Sequence, residues 1–207
     1  MLNNEIEKAI QHLSKNDPVL SALIQKFGTY KIETHKKYFF DLLRAIIGQQ
    51  LSMKAAASIE KKFMTFFKNK PTPELILETE NTHLRALGLS NSKVIYIKDL
   101  SEKIITKRIT LNRISEKSDE EIINELTQVK GIGIWTVHMF LIFTLGRLNV
   151  LPYTDLGIRK AVVLNYGLKK LPDEIKLKKL AKDKGWHPYC SVASIYLWKS
   201  LNNKNLD

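Results

Sequence analysis

Apolar residues recur along this chain at the spacing of an α-helix, and this periodicity constrains the fold more than any other feature of the sequence. In residues 6–13, "IEKAIQHL", the apolar side chains occupy positions i, i+3, i+4 and i+7. The same spacing returns in residues 20–27 and 39–46, and the apolar residues of 94–104 lie along one side of a longer helix, whereas alternating strand patterns are weak. We therefore expect an all-α protein built from roughly ten or more short helices.

Capping residues mark where several of these helices begin and end. Asp17 precedes Pro18, a favourable pair for a helix start, and Gly28 follows the last apolar position of that helix. Further along the chain, either Ser118 or Asp119 can cap the helix that follows. These start and stop signals support the division into short helices.

The length and composition are those of an ordinary globular protein. The 207 residues suffice for one domain or for two small lobes around a shared core. The hydrophobic fraction of 44% is not that of a disordered chain, and no apolar run reaches the roughly 18 residues of a membrane span. The single Cys190 cannot form an internal disulfide or a cysteine-ligated metal site. Because the N-terminus also lacks a secretion signal, we expect a cytoplasmic protein.

The net charge of +12, from 33 Lys and Arg against 21 Asp and Glu, favours a polyanionic partner. Displacement of counterions from phosphates drives the association of basic proteins with nucleic acid. The same charge would suit an anionic membrane surface, or could reflect a lysine-rich proteome and nothing more. Charge alone therefore leaves the partner open.

The segment "VKGIGIW", residues 129–135, can form a tight turn between two helices. Gly131 and Gly133 lack a Cβ, so their backbone N–H groups can approach another molecule closely. These groups, next to the apolar helix expected over residues 135–146, suit a phosphate, and Lys130 adds a positive charge. Taken alone, a Gly-x-Gly is more often a plain helix–turn–helix connection.

The residues around this turn resemble the hairpin of the helix-hairpin-helix DNA glycosylase superfamily, whose usual form is L-x-x-(L/V)-x-G-(I/V)-G-x-x-T-A. The matching positions here are Leu126, Val129, Gly131, Ile132, Gly133 and Thr136, with Val137 at the last position. Lys130 stands where the family often has proline, as it does in some alkyl-base members.

Two further segments extend the resemblance: "AIIGQQLSMKAA" at residues 45–56 and "WHPYCSVASIYLW" at residues 186–198. With the hairpin between them, they look like the 3-methyladenine DNA glycosylase II family and its yeast-type relatives. The resemblance implies a two-lobed helical bundle without the N-terminal sheet domain that some members carry. It makes the chain, residues 1–207, a single glycosylase unit with a central lobe, 38–149, a second lobe, 1–37 plus 150–207, and the active-site cleft between them.

The resemblance also places a catalytic aspartate at the start of the helix that follows the hairpin, where this chain has Asp155. A purine alkylated at N3 or N7 is already cationic and leaves readily, so the sugar acquires oxocarbenium character. A fixed anion stabilises that charge, and a helix N-terminus favours the ionised carboxylate. Without the hairpin, Asp155 would be interpreted as a helix cap only.

Trp135 narrows the reaction that the resemblance implies. Bifunctional members of the superfamily, which also cut the strand, carry a nucleophilic lysine two positions after the second glycine. Tryptophan cannot form a Schiff base there, and a single cysteine excludes the four-cysteine iron–sulfur loop of other branches. The resemblance therefore implies a monofunctional enzyme that releases alkylated purines, such as 3-methyladenine and 7-methylguanine.

Flipping a base out of duplex DNA requires a pocket that receives it and a side chain that fills the gap. An aromatic wall attracts a cationic base, and the candidates are Trp135, Tyr153 and Trp198, although large aromatics in helices usually lie in the core. The family places the gap-filling side chain within "GQQLS", where either Gln50 or Leu51 could serve.

Further DNA contacts are expected from polar side chains near these motifs and beside the hairpin, namely Ser52, Lys54, Lys93, Lys130 and Thr136. The histidines show no metal-binding spacing, so no metal site is predicted. The resemblance allows a monovalent cation at the carbonyl groups of the hairpin and implies no other cofactor.

The sequence as a whole predicts a monomeric, nucleoid-associated DNA repair glycosylase that acts on double-stranded DNA containing alkylated bases. Two other functions fit parts of it. One is a non-catalytic helix-hairpin-helix DNA-binding protein, in which Asp155 only caps a helix, and the other is a bifunctional oxidised-base glycosylase/lyase. A membrane-surface role fits least, because no helix combines a Lys/Arg-dense polar face with Trp or Phe anchors.

Overall fold

Helices provide the regular secondary structure of the described part of the chain. The computed structural model describes residues 2–30 and 36–202. Within these ranges there are twelve α-helices, a short 3-10 helix at Ile114–Glu116, a π-helical turn at Phe140–Thr144, and no strand. The all-α fold expected from the periodicity is confirmed.

The chain divides into two compact units, Met1–Thr34 with Leu141–Asp207 and, separately, His35–Phe140. The α-helices described in the first unit are α1 (Leu2–Asn16), α2 (Pro18–Phe27), α10 (Leu156–Tyr166), α11 (Glu174–Asp183) and α12 (Cys190–Asn202). Those of the second unit are α3 (Tyr38–Gly48), α4 (Met53–Phe66), α5 (Pro73–Glu78), α6 (Asn81–Ala86), α7 (Asn91–Ile105), α8 (Asp119–Leu126) and α9 (Ile134–Met139).

The apolar stripes of α1 and α2 pack into the core of the first unit. Leu13 and Leu20 are fully buried there against apolar side chains of α10, α11 and α12. Asp17 lies between α1 and α2 and caps α2, since its Oδ1 accepts the N–H groups of Val19 at 2.9 Å and Leu20 at 3.3 Å. The helix start predicted at Asp17 is confirmed.

The second carboxylate oxygen of Asp17 holds distant parts of the first unit together. Oδ2 accepts the hydroxyl of Tyr166, the last residue of α10, at 2.5 Å and the indole N–H of Trp186 at 2.8 Å. Burial, together with the hydrogen bond and charge of Asp17, raises the pKa of Tyr166, so its hydroxyl stays a donor. One fully buried carboxylate therefore links three segments that are far apart in sequence.

Helix α7 occupies a central place in the second unit, where it packs against α3, α5 and α6. Its apolar residues Val94, Ile97 and Leu100 are buried, as the helical stripe predicted. Its other side chains are consequently available to contact the turn that joins α3 to α4 and the hairpin that joins α8 to α9.

The apolar segment expected to form one buried helix over residues 135–146 is divided in the structure. Helix α9 ends at Met139, and the chain continues as the π-helical turn Phe140–Thr144. The boundary between the two units falls here, after Phe140, whereas the sequence placed it after residue 149. Trp135 is 45% exposed and Phe143 is 49% exposed, so this apolar segment is only partly buried.

Among the residues that the structure describes, no helix has the length and apolar character needed to cross a bilayer.

Candidate active site

The hairpin between α8 and α9 is a tight turn that only glycine permits at one of its two glycine positions. Gly131 has φ +81°, and a Cβ placed there would lie 2.1 Å from Cδ2 of Tyr96 in α7. Gly133 is the N-cap of α9 with φ −96°, and a Cβ there would meet nothing within 4 Å. The fold therefore requires glycine at position 131. At position 133 no neighbour excludes a Cβ, and its absence leaves the backbone open to another molecule.

Asp99 of α7 binds the hairpin through its carboxylate. Its Oδ2 accepts the backbone N–H of Lys130 at 2.9 Å and lies 2.6 Å from Nζ of Lys103, while Nζ of Lys130 is 3.9 Å from Oδ1. Burial by itself raises the pKa of Asp99, but the hydrogen bonds and charges of the two lysines outweigh it, and the pKa lies below its usual value. Lys130 is thus partly neutralised by a partner within the chain.

The turn between α3 and α4 carries the two candidates for filling the gap in the duplex. Gln50 is exposed and adopts φ +56°, a backbone conformation uncommon for a residue other than glycine. Leu51 is 38% exposed. Ser52 caps α4, because its hydroxyl accepts the N–H of Ala55 at 3.3 Å. Lys54, in the first turn of α4, is exposed.

The residue before these candidates joins the turn to the hairpin. Nε2 of Gln49 donates to the carbonyl oxygen of Gly131 at 2.7 Å. Near the end of α3, Nζ of Lys93 in α7 donates to the carbonyl oxygen of Ile47 at 2.7 Å. Partial burial lowers the pKa of Lys93. The turn is therefore attached by side-chain hydrogen bonds to both α7 and the hairpin.

A pocket of about 880 Å³ opens between the turn, α7, the hairpin and α9, all within the second unit. Tyr96, Trp135 and Met139 give its lining an aromatic and thioether surface. Arg44 and Lys93 add positive charges to the lining. Such a pocket suits a flat, polarisable ring next to an anionic backbone.

Asp155 is the N-cap of α10, in the first unit. Its Oδ1 accepts the N–H of Ile158 at 2.7 Å and the indole N–H of Trp198 in α12 at 2.8 Å. A Cβ on Gly157 would lie 2.9 Å from that oxygen and 3.2 Å from the indole. The side chain of Asp155 is 9% exposed, so the structure holds a carboxylate in one orientation with charge-assisted donors.

The two other aromatic candidates, Tyr153 and Trp198, have partners within the first unit. The side chain of Tyr153 is partly buried against the core of the first unit, and Nζ of Lys178 in α11 lies 4.6 Å from its ring centroid. The ring of Trp198 packs near Phe143, with centroids 5.7 Å apart. The ring of Tyr153 thus already has a cation partner, and the indole N–H of Trp198 already donates to Asp155.

A family model described as "HhH-GPD superfamily base excision DNA repair protein" matches residues 43–186, which include the hairpin, Asp155 and the connection between them. This chain belongs to that superfamily. The resemblance expected from the hairpin motif is confirmed.

Relatives of this HhH-GPD protein carry the names that the motifs suggested. DNA-3-methyladenine glycosylase 1 of Schizosaccharomyces pombe is 37% identical over 201 residues, 94% of this chain and 87% of the relative. A solved structure of the S. pombe 3-methyladenine DNA glycosylase with abasic DNA has a TM-score of 0.84 and 36% identity, over 94% of this chain and 97% of that one. A DNA-3-methyladenine glycosidase structure from Bacillus halodurans has a TM-score of 0.83 and 31% identity, over 95% of this chain and 90% of that one.

Several site residues predicted from the sequence lie around one pocket of this HhH-GPD protein, namely Gln50, Leu51, Lys93, Gly131, Trp135 and Thr136. Thr136 is buried, so little of its side chain is accessible. Others lie on the same unit but are not among the residues that line the pocket: Ser52, Lys54, Lys130 and Gly133. Asp155, Tyr153 and Trp198 belong to the first unit, where Trp198 contacts Asp155 directly and Tyr153 contacts Lys178.

The sequence did not identify four residues that shape these sites. Gln49 and Asp99 act through hydrogen bonds to residues far away in the chain. Tyr96 lies outside the apolar stripe of α7 and packs against Gly131. Gly157 left a weak signal, since a glycine inside the first turn of a helix is unfavourable unless a neighbour needs the space.

The described residues contain no group of three or more His, Cys, Asp or Glu side chains that could hold a metal ion. Two carbonyl groups of the hairpin already accept protein donors: that of Val129 accepts the N–H of Ile132, and that of Gly131 accepts Gln49. Each of these oxygens keeps a second lone pair, so the monovalent cation that the resemblance allows at the hairpin stays a prediction.

Proposed function

We propose that this protein is a monofunctional DNA glycosylase that hydrolyses the N-glycosidic bond of alkylated purines, such as 3-methyladenine and 7-methylguanine, in duplex DNA. The observation that carries the proposal is the carboxylate of Asp155, oriented at the N-terminus of α10 by Ile158 and Trp198, in a chain of the HhH-GPD superfamily. Its relatives named 3-methyladenine glycosylases support the substrate class.

Asp155 acts in this proposal by stabilising positive charge on the sugar. The bond between C1′ and the purine nitrogen breaks, and its electron pair leaves with the cationic base, which becomes neutral. Water then adds to C1′ and loses a proton, and Asp155 orients this water and can accept the proton. A carboxylate with a fixed position needs little reorganisation as the charge develops, which is the main source of such electrostatic catalysis.

Trp135 is the proposed contact for the flipped base. It lines the pocket with 45% of its side chain exposed, next to Tyr96 and Met139. An indole ring attracts a cationic purine by stacking and by cation–π interaction. Because Trp135 stands where bifunctional members have their lysine, the reaction ends with an abasic site and an uncut strand. Tyr153 and Trp198 are secondary candidates for contact with the flipped base.

The DNA backbone is proposed to bind at the hairpin. The N–H groups at Gly131 and Gly133 and the charge of Lys130 receive a phosphate. Either Gln50 or Leu51 fills the gap that the flipped nucleotide leaves. The remaining contacts come from side chains around these positions: Ser52, Lys54, Lys93 and Thr136. A net charge of +12 strengthens binding to any duplex.

The two units are proposed to work as one glycosylase, because the family match spans residues 43–186 and so includes parts of both. We further propose that the protein acts as a monomer, since one hairpin and one carboxylate suffice for one lesion. We also propose that it acts on the nucleoid in the cytoplasm.

The decisive experiment compares Asp155→Asn with Asp173→Asn. Asp173 is also an aspartate N-cap, whose side chain accepts the N–H of Lys176 at 2.8 Å at the start of α11. Asparagine caps helices as well as aspartate does, so both variants should fold. Removing a charge that stabilises the transition state should slow single-turnover release of 7-methylguanine at least about 100-fold in Asp155→Asn. Asp173→Asn should match the wild type.

Binding to abasic-site duplex should stay within a few-fold of the wild type in both variants, which separates catalysis from DNA binding. Native base release by Asp155→Asn would remove Asp155 from the mechanism. Absence of release by the wild type would leave the non-catalytic DNA-binding function. Borohydride treatment during the reaction should trap no covalent complex, and a trapped complex would indicate a lyase.

A further inference from the structure

Gln49 occupies an unusual position between the two DNA-binding elements proposed above. Its backbone ends α3, with its N–H bonded to the carbonyl of Ile46 at 3.3 Å. Its side chain leaves the turn and donates to the carbonyl of Gly131, 82 residues away in the chain, at 2.7 Å. The next residue, Gln50, adopts φ +56°. The amide therefore connects the start of the gap-filling turn to the centre of the hairpin.

Both partners of this hydrogen bond are fixed by the same helix. On the hairpin side, Gly131 packs against Tyr96, and the N–H of Lys130 is bound by Asp99. On the turn side, Lys93 donates to the carbonyl of Ile47. Lys93, Tyr96 and Asp99 are spaced three residues apart and so lie along one side of α7. Gln49 directly links these two elements, each of which α7 also contacts.

The hydrogen bond of Gln49 lies next to a residue with a strained backbone, Gln50. A positive φ in a residue other than glycine costs free energy of order 1 kcal/mol and persists only where surrounding contacts enforce it. The bonds of Gln49 and Lys93 act immediately before Gln50, at the end of α3. Without them, the turn could relax, and the side chains of Gln50 and Leu51 would change position relative to the hairpin.

We infer that Gln49 is a positioning residue for base flipping: its side-chain amide sets the distance between the gap-filling turn and the phosphate-binding hairpin. This inference rests on the proposed function, because it assumes that the turn enters the duplex. The side chain itself need not touch the DNA. A duplex phosphate held at the hairpin would then place the gap-filling side chain at a defined base step, and the target nucleotide would leave the stack there.

The test is Gln49→Met, which keeps the length of the side chain and removes its N–H donor. The substrates are two duplexes with a single 7-methylguanine, one paired with cytosine and one opposite a tetrahydrofuran abasic analogue. The second lesion has no pairing partner, so it leaves the helix with less help from the protein. Single-turnover base release is measured on both, with Gln25→Met as the control, since Gln25 is an exposed glutamine of α2.

The paired lesion should be released about 10-fold more slowly by Gln49→Met, as expected for the loss of one well-placed hydrogen bond and the displacement that follows. The unpaired lesion should be released within about 2-fold of the wild-type rate, and undamaged duplex should bind with unchanged affinity. The ratio of the two release rates is the quantity that a merely structural role would not change. Gln25→Met should keep the wild-type ratio.

Equal loss on both duplexes overturns the inference, whether the melting temperature falls or stays constant, because positioning of the turn predicts a difference between them. A wild-type ratio in Gln49→Met overturns it as well. If Gln49→Met fails to fold, Gln49→Asn retains the amide but is one methylene too short, and the same ratio applies. A wild type that releases 7-methylguanine from neither duplex contradicts the proposed function instead.

Discussion

Asp155 shows how a single residue can serve as a helix cap and as a candidate catalytic group at once. Its Oδ1 accepts the N–H of Ile158, as any aspartate cap would, and it also accepts the indole N–H of Trp198. The second donor distinguishes it from Asp173, which caps α11 on the surface. The absence of a Cβ on Gly157 provides the space in which carboxylate and indole meet.

Trp198→Phe tests whether the indole N–H of Trp198 orients the carboxylate. Phenylalanine retains most of the ring next to Phe143 and removes only the donor to Asp155. A hydrogen bond to a charged group contributes about 1.5–3 kcal/mol, so base release should fall roughly 10-fold to 100-fold. Single-turnover rates and abasic-duplex affinity are measured in parallel. If the affinity falls as far as the rate, Trp198 belongs to DNA binding and not to the orientation of Asp155.

At the scale of the elements, three side chains of α7 contact the hairpin and the turn beside it. Tyr96 packs on Gly131, Asp99 binds the N–H of Lys130, and Lys93 holds the end of α3. The depressed pKa of Asp99 means that its contribution to stability is present above the pKa of an unfolded aspartate. It is lost as the pH falls through the lower, folded value.

The two glycines of the hairpin should respond differently to alanine. Gly131→Ala forces a Cβ against Tyr96 at a positive φ and should destabilise the protein by about 3 kcal/mol. Gly133→Ala meets no neighbour and should leave the melting temperature within a few degrees of the wild type. It should nevertheless weaken the binding of undamaged duplex, because a methyl group would stand where the phosphate approaches.

Thermal denaturation and a duplex titration at fixed salt measure these two effects separately. Equal melting temperatures for the two alanine variants would show that Tyr96 yields easily and that the close contact does not constrain the hairpin. Unchanged DNA affinity in Gly133→Ala would argue against a phosphate at that position.

At the scale of the whole molecule, the first unit is assembled from both ends of the sequence, and Asp17 is a central link. Its carboxylate joins the start of α2 to Tyr166 and Trp186. All of its described partners are donors, so the charge is satisfied even though the residue is fully buried.

Asp17→Ala should destabilise the protein by about 3–5 kcal/mol, because it leaves buried N–H and O–H donors without their acceptor. Asp173→Ala removes an exposed cap and an exposed ion pair with Lys176, and it should cost about 1 kcal/mol. Urea denaturation followed by circular dichroism measures both values. Similar losses in the two variants would mean that the buried network of Asp17 contributes little beyond its cap.

The sequence predicted the elements well wherever the signal is local. The stripes of α1, α2, α3 and α7, the cap at Asp17 and the hairpin around Gly131 all follow from side chains within a few residues of each other. The predicted helix over residues 135–146 was wrong in one respect, because it continues from Met139 into a π-helical turn. That change leaves no mark in the hydrophobic pattern, because the segment is apolar at nearly every position and so has no period that distinguishes an i→i+5 turn from an α-helix.

What the sequence determined by itself is the all-α fold and the hairpin turn, because helical periodicity and turn chemistry act over short stretches of chain. The superfamily followed from the resemblance of the hairpin and its two companion motifs to a known family, which the family model confirms. Only the tertiary structure decided that Gly131 and Gly133 differ, that Trp198 serves Asp155, and that Gln49 connects two elements. In the sequence the two glycines look alike, as do Gln49 and Gln50. They differ because each hydrogen bond or close contact depends on the partner that packing brings to it, and that partner lies on another helix.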